Sequence, residues 1–168
     1  MPEKRTIEKA KEDKREGKSP STQAGEFVKE EMDKIRSGER GARSPEQAIA
    51  IGLSEARRAG VDLPPPRKGK TKKSTSKSAR YAYDVGQGKR KTKKRPRVSR
   101  AVKNVLKHEP RSSASHEALS QHAKRAASKR SAASRSAAAR KASRTKGPKE
   151  RAAAARKAAR TRARRSRS

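Results

Sequence analysis

The side chains with the clearest chemical potential in this sequence are cations that follow one another closely along the chain. Residues 89–97 read KRKTKKRPR, with seven basic residues in nine positions. A dense run of cations binds phosphate groups electrostatically, although a solvated charge run in a linker has the same appearance. We predict that this segment contacts the phosphate backbone of a nucleic acid.

Cations also recur through the last third of the chain. Residues 111–168 contain 19 Lys and Arg, 18 Ala, 11 Ser and only 2 acidic residues. The segment RSAAARKASRT at 135–145 is repeated as RAAAARKAART at 151–161, with 9 of 11 positions identical. Over the whole chain, the predicted nucleic-acid-binding residues are Lys89, Arg90, Lys91, Lys93, Lys94, Arg95, Arg97, Lys124, Arg125, Lys129, Arg130, Arg140, Lys141, Arg144, Arg151, Arg156, Lys157, Arg160, Arg162, Arg164 and Arg165.

Two weaker patterns could suggest a nucleotide-binding enzyme. Gly69-Lys70-Thr71 and Gly17-Lys18-Ser19 match the end of a phosphate-binding loop. The first glycine of that motif falls on Pro64 in one case and on Glu12 in the other, and neither follows a strand. We therefore predict no nucleotide-binding loop.

Metal-dependent and nucleophilic catalysis are not expected either. The chain contains no cysteine, which excludes thiolate ligands and a Cys nucleophile. The three histidines (His108, His116 and His122) are never three or four residues apart, so they form no pair on one helix face. No base and orienting carboxylate cluster with the serines. We predict a binding protein without catalytic residues, cofactor or metal.

Composition indicates which elements carry these cations. Leu, Ile, Val and Phe number 15, about 9% of the chain, where less than roughly 20% is typical of intrinsic disorder. The net charge of +33 divides into +1 for residues 1–63 and +32 for residues 64–168. We predict a mostly disordered chain with all-α elements. These are a small N-terminal helical hairpin and a long, basic, Ala/Ser-rich arm that becomes partly helical once phosphates neutralise it.

The predicted hairpin occupies residues 19–63 and follows a charged, fraying helix in residues 1–18. Ser19 is a suitable N-cap, Pro20 is a suitable first helical residue, and Gly38 ends the pattern. Between them, apolar residues recur at the spacing of one helix face: Ala24, Phe27, Val28, Met32 and Ile35.

The second helix of the hairpin has the strongest local signals. Ser44 and Gln47 have the spacing of a capping box. Gly60 fits the position after the helix end, where a Schellman motif would bring Val61 against Ala56. The large apolar residues predicted to pack onto the first helix are Ile49, Ile51, Leu53 and Val61.

Gly52 interrupts this second helix at a cost of roughly 1 kcal/mol relative to Ala, which indicates close packing at that position. Together with Ala48, Ala50 and Ala56 it forms a face of small residues. This face favours either a weak homodimer through residues 19–63 or a monomeric hairpin, and the sequence leaves both open.

Residues 43–60 (RSPEQAIAIGLSEARRAG) resemble an uncharacterised family of small basic bacterial proteins that carry an S-x-x-Q-A-I-A-I-x-L-x-x-A pattern. The similarity extends over residues 1–65. It implies a bacterial origin and supplies no catalytic residue. The low-complexity tail resembles the Lys/Ala-rich tails of linker histones and of bacterial histone-like proteins.

Between the hairpin and the tail at 111–168, we predict a basic linker at 64–97 and a short helix at 98–110. Tyr81 and Tyr83 lie in the linker, where they either stack on bases or form a local apolar cluster.

Two serines mark further helix starts. Ser99 is the predicted N-cap of the short helix, whose apolar residues form a narrow stripe. Ser115 is the predicted N-cap of the next helix, with Glu117 in its first turn.

A membrane location is not indicated. The longest apolar run, residues 48–53, is far shorter than the span of about 20 residues that a bilayer requires. The first 18 residues lack the apolar segment of a secretory signal. We expect a cytoplasmic, nucleoid-associated protein in a bacterium, or a nuclear one in a eukaryote.

These observations favour non-sequence-specific binding of nucleic acid, with DNA compaction of the architectural, nucleoid-associated type. The basic arm would contact phosphates and read no sequence. RNA binding or association with ribosomes is the alternative, because the same electrostatics serve RNA. Binding to a polyanion or an anionic membrane surface, without insertion, is a third hypothesis.

Overall fold

The computed structural model describes residues 2–67, 69–92, 95–145 and 147–165. In these ranges the chain forms eight α helices and one 3-10 helix, which together hold about 75% of the described residues. The chain divides into an N-terminal unit, residues 1–122, and a C-terminal unit, residues 123–168. The elements are α1 Lys4–Arg15, α2 Pro20–Ser37, α3 Pro45–Arg58, α4 Lys73–Gly86, α5 Pro96–His108, η1 Arg111–Ala114, α6 His116–Ser128, α7 Ala132–Thr145 and α8 Pro148–Arg165.

The prediction of a mostly disordered chain is wrong, because helices cover most of the described residues. Its all-α part agrees with the structure, since the described residues contain no strand. The composition rule counts the large apolar side chains that a core requires. Helix hydrogen bonds are local, and Ala, Arg and Lys are strong helix formers, so α7 and α8 form without such side chains.

The core of the N-terminal unit lies between α1, α2 and α3 and is built largely from small side chains. One cluster surrounds the fully buried Phe27 of α2 and includes Ala10 of α1 and Ala56 of α3. A second cluster surrounds the fully buried Ile35 and includes Ala114 of η1. The unit therefore extends well beyond the predicted two-helix hairpin.

Helix α1 is a packed element, in contrast to the solvated, fraying helix that its mixed charges predict. Ala10 and Asp13 are buried, and the backbone N–H of Glu3 donates to Glu30 Oε1 of α2 at 3.0 Å. The short side chain of Ala10 allows α1 to approach α2. The contact of Glu3 and the ion pair of Lys9 with Glu26, at 3.4 Å, hold the helix there.

The predicted start signals of the hairpin are confirmed. Ser19 Oγ accepts a hydrogen bond from the backbone N–H of Thr22 at 3.4 Å. Ser44 Oγ accepts one from Gln47 at 3.3 Å. Gln47 Oε1 accepts from the N–H of Arg43, one residue before the N-cap, so the capping box closes one position earlier than expected.

The predicted Schellman motif at the end of α3 is also confirmed. Gly60 adopts a φ of 92°, a backbone conformation that favours glycine. Val61 N–H donates to Ala56 O at 3.1 Å, and Gly60 N–H donates to Arg57 O at 3.1 Å. Val61 packs in the same cluster as Ala56, as the motif requires.

Gly52 lies at a close approach between α2 and α3. A Cβ atom added there would lie 2.7 Å from the Cα atom of Val28, so the close-packing interpretation is confirmed. Ala48 and Ala56 are fully buried beside it. Three of the four small residues are thus used within the chain, and of the four only Ala50 is exposed.

The segment expected to be a basic linker contains helix α4, which packs on α3. Ala79 and Ala82 are buried, and Gly86 lies so close to the carbonyl of Arg57 that a Cβ atom would not fit. Tyr83 Oη donates to Asp62 at 2.6 Å, and this bond raises the pKa of the tyrosine. Small residues provide this packing, and in a polar sequence such residues do not indicate a buried helix face.

Helix α5 begins at Pro96, three residues before the predicted N-cap Ser99. Its stripe of Val98, Val102 and Val105 is about half exposed. The predicted N-cap of α6 is confirmed, because Ser115 Oγ accepts from the N–H of Ala118 at 3.1 Å.

Among the described residues, no helix combines the length and apolar character that crossing a membrane requires.

Candidate nucleic-acid interface

The 16-residue repeat of the tail becomes two helices, α7 and α8, with matching cations. Arg140 and Arg144 of α7 are equivalent to Arg156 and Arg160 of α8, and all four are exposed. Each pair is separated by four residues, which places both guanidinium groups on one face of its helix. The repeat thus provides the same pair of adjacent cations twice.

In α8 the pair extends into a longer basic stripe. Arg164 continues the four-residue spacing after Arg160, and each step advances about 6 Å along the helix axis. Lys149 precedes Arg156 by seven residues, which is two helical turns, and therefore lies on the same face. Arg162 lies on another side of the helix. Such a stripe suits a row of phosphates along a nucleic-acid backbone.

The C-terminal unit has almost no negative charge to oppose these cations. Residues 123–168 contain 18 Lys and Arg and one acid, Glu150, for a net charge of +17. Glu150 lies in the first turn of α8, where a negative charge is favourable to the helix. The remaining predicted residues in the two helices are Lys141, Arg151, Lys157 and Arg165.

Other tail cations lie at or just after the end of α6, and some have structural contacts. The predicted residues there are Lys124, Arg125, Lys129 and Arg130. Arg130 Nη2 donates to Ser134 Oγ at 3.2 Å, near the start of α7. Arg135, the repeat equivalent of Arg151, donates to the carbonyl of Arg130 at 3.0 Å. These two guanidinium groups organise the connection between α6 and α7.

The predicted cluster at residues 89–97 lies in the N-terminal unit, between α4 and α5. Lys89, Arg90 and Lys91 follow the end of α4. Arg95 is the N-cap of α5, and Arg97 lies in its first turn. Lys93 and Lys94 lie outside the described residues. The predicted contacts therefore belong to two different units of the chain.

Tyr81, predicted from the sequence to stack on bases or to join an apolar cluster, lies beside this basic cluster, a contact that the sequence did not predict. The guanidinium carbon of Arg90 lies 4.9 Å from the centroid of the Tyr81 ring, within the range of a cation–π interaction. The two are nine positions apart in the chain, and the end of α4 brings them together. The one indication of this contact in the sequence was an aromatic residue a short distance before a basic run.

A buried ionic group links α2, the loop after it and α3. Glu31 is fully buried, and its Oε2 lies 2.5 Å from Nη2 of Arg40. The same nitrogen lies 3.6 Å from Glu55 Oε1. Burial raises the pKa of Glu31 to about 7; Arg40 opposes this shift and the nearby Glu55 adds to it. The N-terminal unit thus holds an acid that titrates near neutral pH.

We expect Glu31→Gln to remove a pH dependence of stability. The carboxyl ionises near pH 4.5 when unfolded and near 7 when folded, so the wild-type free energy of unfolding should fall as pH rises between these values. Relative to E31Q, the loss should reach about 3 kcal/mol by pH 8. Urea denaturation monitored by circular dichroism at several pH values measures it.

Glu46→Gln is the matched control for this experiment. Hydrogen bonds from its own backbone, from His122 and from Ser44 lower the pKa of Glu46 to about 2. The difference between E46Q and wild type should therefore change only below pH 4.5. Parallel curves for E31Q and wild type between pH 4.5 and 7 would contradict the burial argument.

Comparison with known proteins gives one match. A family of unknown function, DUF6496, matches residues 4–68, about two fifths of the chain, a range that includes α1, α2 and α3. No curated protein and no solved structure matches the chain significantly. Within the described residues, no group of three or more His, Cys, Asp or Glu side chains is arranged to hold a metal ion.

Proposed function

We propose that this protein binds nucleic acid without sequence specificity and compacts DNA, as nucleoid-associated proteins do. The observation that carries the proposal is the C-terminal unit, residues 123–168, which has a net charge of +17 and repeats the same pair of exposed arginines in α7 and α8. Cations that contact phosphates release the counterions of the nucleic acid, which drives binding and reads no sequence.

Double-stranded DNA is the favoured ligand because the basic stripes have few apolar or aromatic neighbours. Recognition of single-stranded RNA relies mainly on aromatic stacking, and this chain has one Phe, two Tyr and no Trp. RNA binding, including association with ribosomes, is the second candidate, and the contact between Arg90 and Tyr81 favours it. Both functions are those of a binding protein without enzymatic activity.

The N-terminal unit supplies an ordered domain in the same chain as the basic helices. If it associates with another copy, bound arms would be linked and DNA segments bridged. Because most of the small-residue face of α3 is buried against α2, a homodimer through residues 19–63 would need other side chains. The proposed location is the bacterial nucleoid, in keeping with the resemblance to small basic bacterial proteins and to histone-like tails.

The salt dependence of binding tests the proposal. If the cationic helices neutralise about 10 phosphates, raising monovalent salt from 50 to 200 mM should weaken binding about 10⁵-fold. Fluorescence anisotropy with a labelled duplex of mixed sequence measures this, and a duplex of shuffled sequence should bind equally well. An affinity that hardly changes with salt, or a strong preference between the two duplexes, would contradict the proposal.

A further inference from the structure

The N-terminal unit contains a second cationic site, separate from the tail helices in sequence and in composition. Tyr81, Arg90, Lys91 and Arg95 line a cavity of about 710 Å³ between the end of α4 and the start of α5. This volume lies within the range of about 300–1,000 Å³ that is typical of sites for small organic ligands.

Within the part of the chain that the structure describes, this cavity is lined by three cations and one tyrosine and by no acidic side chain. Among the described residues, Arg90, Lys91 and Arg95 form no ion pair with a carboxylate, and all three are exposed. Three positive charges around one cavity repel each other unless an anion lies between them. Nearby, the first turn of α5 contains no acidic residue. The charges therefore indicate an anionic ligand.

The aromatic wall indicates that the ligand also has a planar part. Tyr83 is occupied by its hydrogen bond to Asp62, whereas the ring of Tyr81, two residues earlier, faces a different side of α4 and lies against Arg90. Bases stack on aromatic rings and on the planes of arginine guanidinium groups. Because Arg90 is exposed, the side of its guanidinium away from Tyr81 is accessible to a base.

We propose that this cavity binds an unpaired nucleotide. The phosphate lies between Lys91 and Arg95, and the base stacks on Arg90, which Tyr81 supports from beneath. A base within a duplex has both faces covered by its neighbours, so the site selects single-stranded nucleic acid. This inference rests on the proposed function and adds to it, because the tail has no Phe, Tyr or Trp on which an unpaired base could stack.

The test follows the two tyrosine ring signals by NMR in the full-length protein, with labelled tyrosine and labelled alanine. The probe is a five-nucleotide thymidine strand, with inorganic phosphate as the comparison. We expect the strand to shift the Tyr81 signal with saturation and to leave Tyr83 unchanged, while phosphate at equal concentration has a much smaller effect. Tyr83→Phe assigns the signals, since the chain has only these two tyrosines.

Arg90→Ala and Arg80→Ala form a matched pair of variants. Each removes one arginine charge near α4, but Arg80 does not line the cavity. Loss of the stacking surface should weaken binding of the strand at Tyr81 roughly tenfold in R90A, whereas R80A should change it less than twofold. Because Arg90 is exposed and lies outside the helices, R90A should retain the wild-type circular dichroism spectrum.

Four results would overturn the inference. Equal weakening by R80A and R90A would indicate a general charge effect, and an equal response of Tyr81 to inorganic phosphate would indicate a simple anion site. If the tail alanine signals shift with the strand while Tyr81 does not, this inference fails and the proposed function stands. If neither set of signals responds to the strand or to a duplex, both fail.

Discussion

Replacing Arg140, Arg144, Arg156 and Arg160 with alanine should weaken binding to duplex DNA about 10³-fold at 100 mM salt. These four residues are the paired cations that the repeat places on one face of α7 and one face of α8. Each phosphate contact contributes roughly 0.9 to the slope of log K against log salt, so the slope should also fall by about 3.6.

The helices themselves should survive these four substitutions. Alanine has the highest helix propensity, and removing adjacent like charges relieves repulsion along each helix. Circular dichroism should therefore show unchanged or slightly higher helix content. A loss of affinity then reports the loss of phosphate contacts and not unfolding.

A control variant with the same charge change separates placement from net charge. Lys4, Lys11, Lys29 and Arg58 are exposed cations of the N-terminal unit, and their replacement by alanine also lowers the net charge by four. We expect this variant to lose less than tenfold in affinity, measured by anisotropy as before. Equal losses in both variants would show that the repeat has no special role.

The second large effect concerns the packing of α2 against α3. Gly52→Ala should destabilise the N-terminal unit by about 2 kcal/mol or more. The added Cβ atom would lie 2.7 Å from Val28 Cα and 2.9 Å from its backbone nitrogen, and backbone atoms cannot move aside as a flexible side chain can. The gain of about 1 kcal/mol in helix propensity offsets only part of this overpacking cost.

Gly25→Ala is the matched control, since it makes the same change within α2. A Cβ atom at Gly25 meets nothing within 4 Å, so this variant should be more stable than wild type by up to about 1 kcal/mol. Thermal and urea denaturation of the three proteins measures the difference. If G52A is as stable as G25A, the two helices do not approach as closely as described.

Local signals accounted for much of the N-terminal unit. Ser44 and Gly60 were predictable as the start and end signals of α3, because caps depend on residues within one turn of each other. Helix α4 was missed, because its contact with α3 uses Ala82 and Gly86 and depends on a partner about 30 residues away. A search for patterns of large apolar residues does not detect contacts between small residues that are distant in the sequence.

For the tail, the sequence predicted the charges correctly and the secondary structure wrongly. Its cations, their repeat and their excess over acids were all readable from composition and spacing, but the same composition predicted disorder. The structure places these residues in α7 and α8. The prediction treated the lack of large apolar residues as decisive, although alanine-rich segments form their hydrogen bonds locally and need no core.

The amino-acid sequence alone establishes where the charge lies, which residues begin and end several of the helices, and that Gly52 needs a close neighbour. These properties depend on composition or on residues within a few positions of one another. The packing of α1 and α4, the burial of Glu31 beside Arg40 and the contact between Tyr81 and Arg90 became visible only in three dimensions. Each of them joins residues from different elements, and the free energy of such contacts depends on distances that no local pattern encodes.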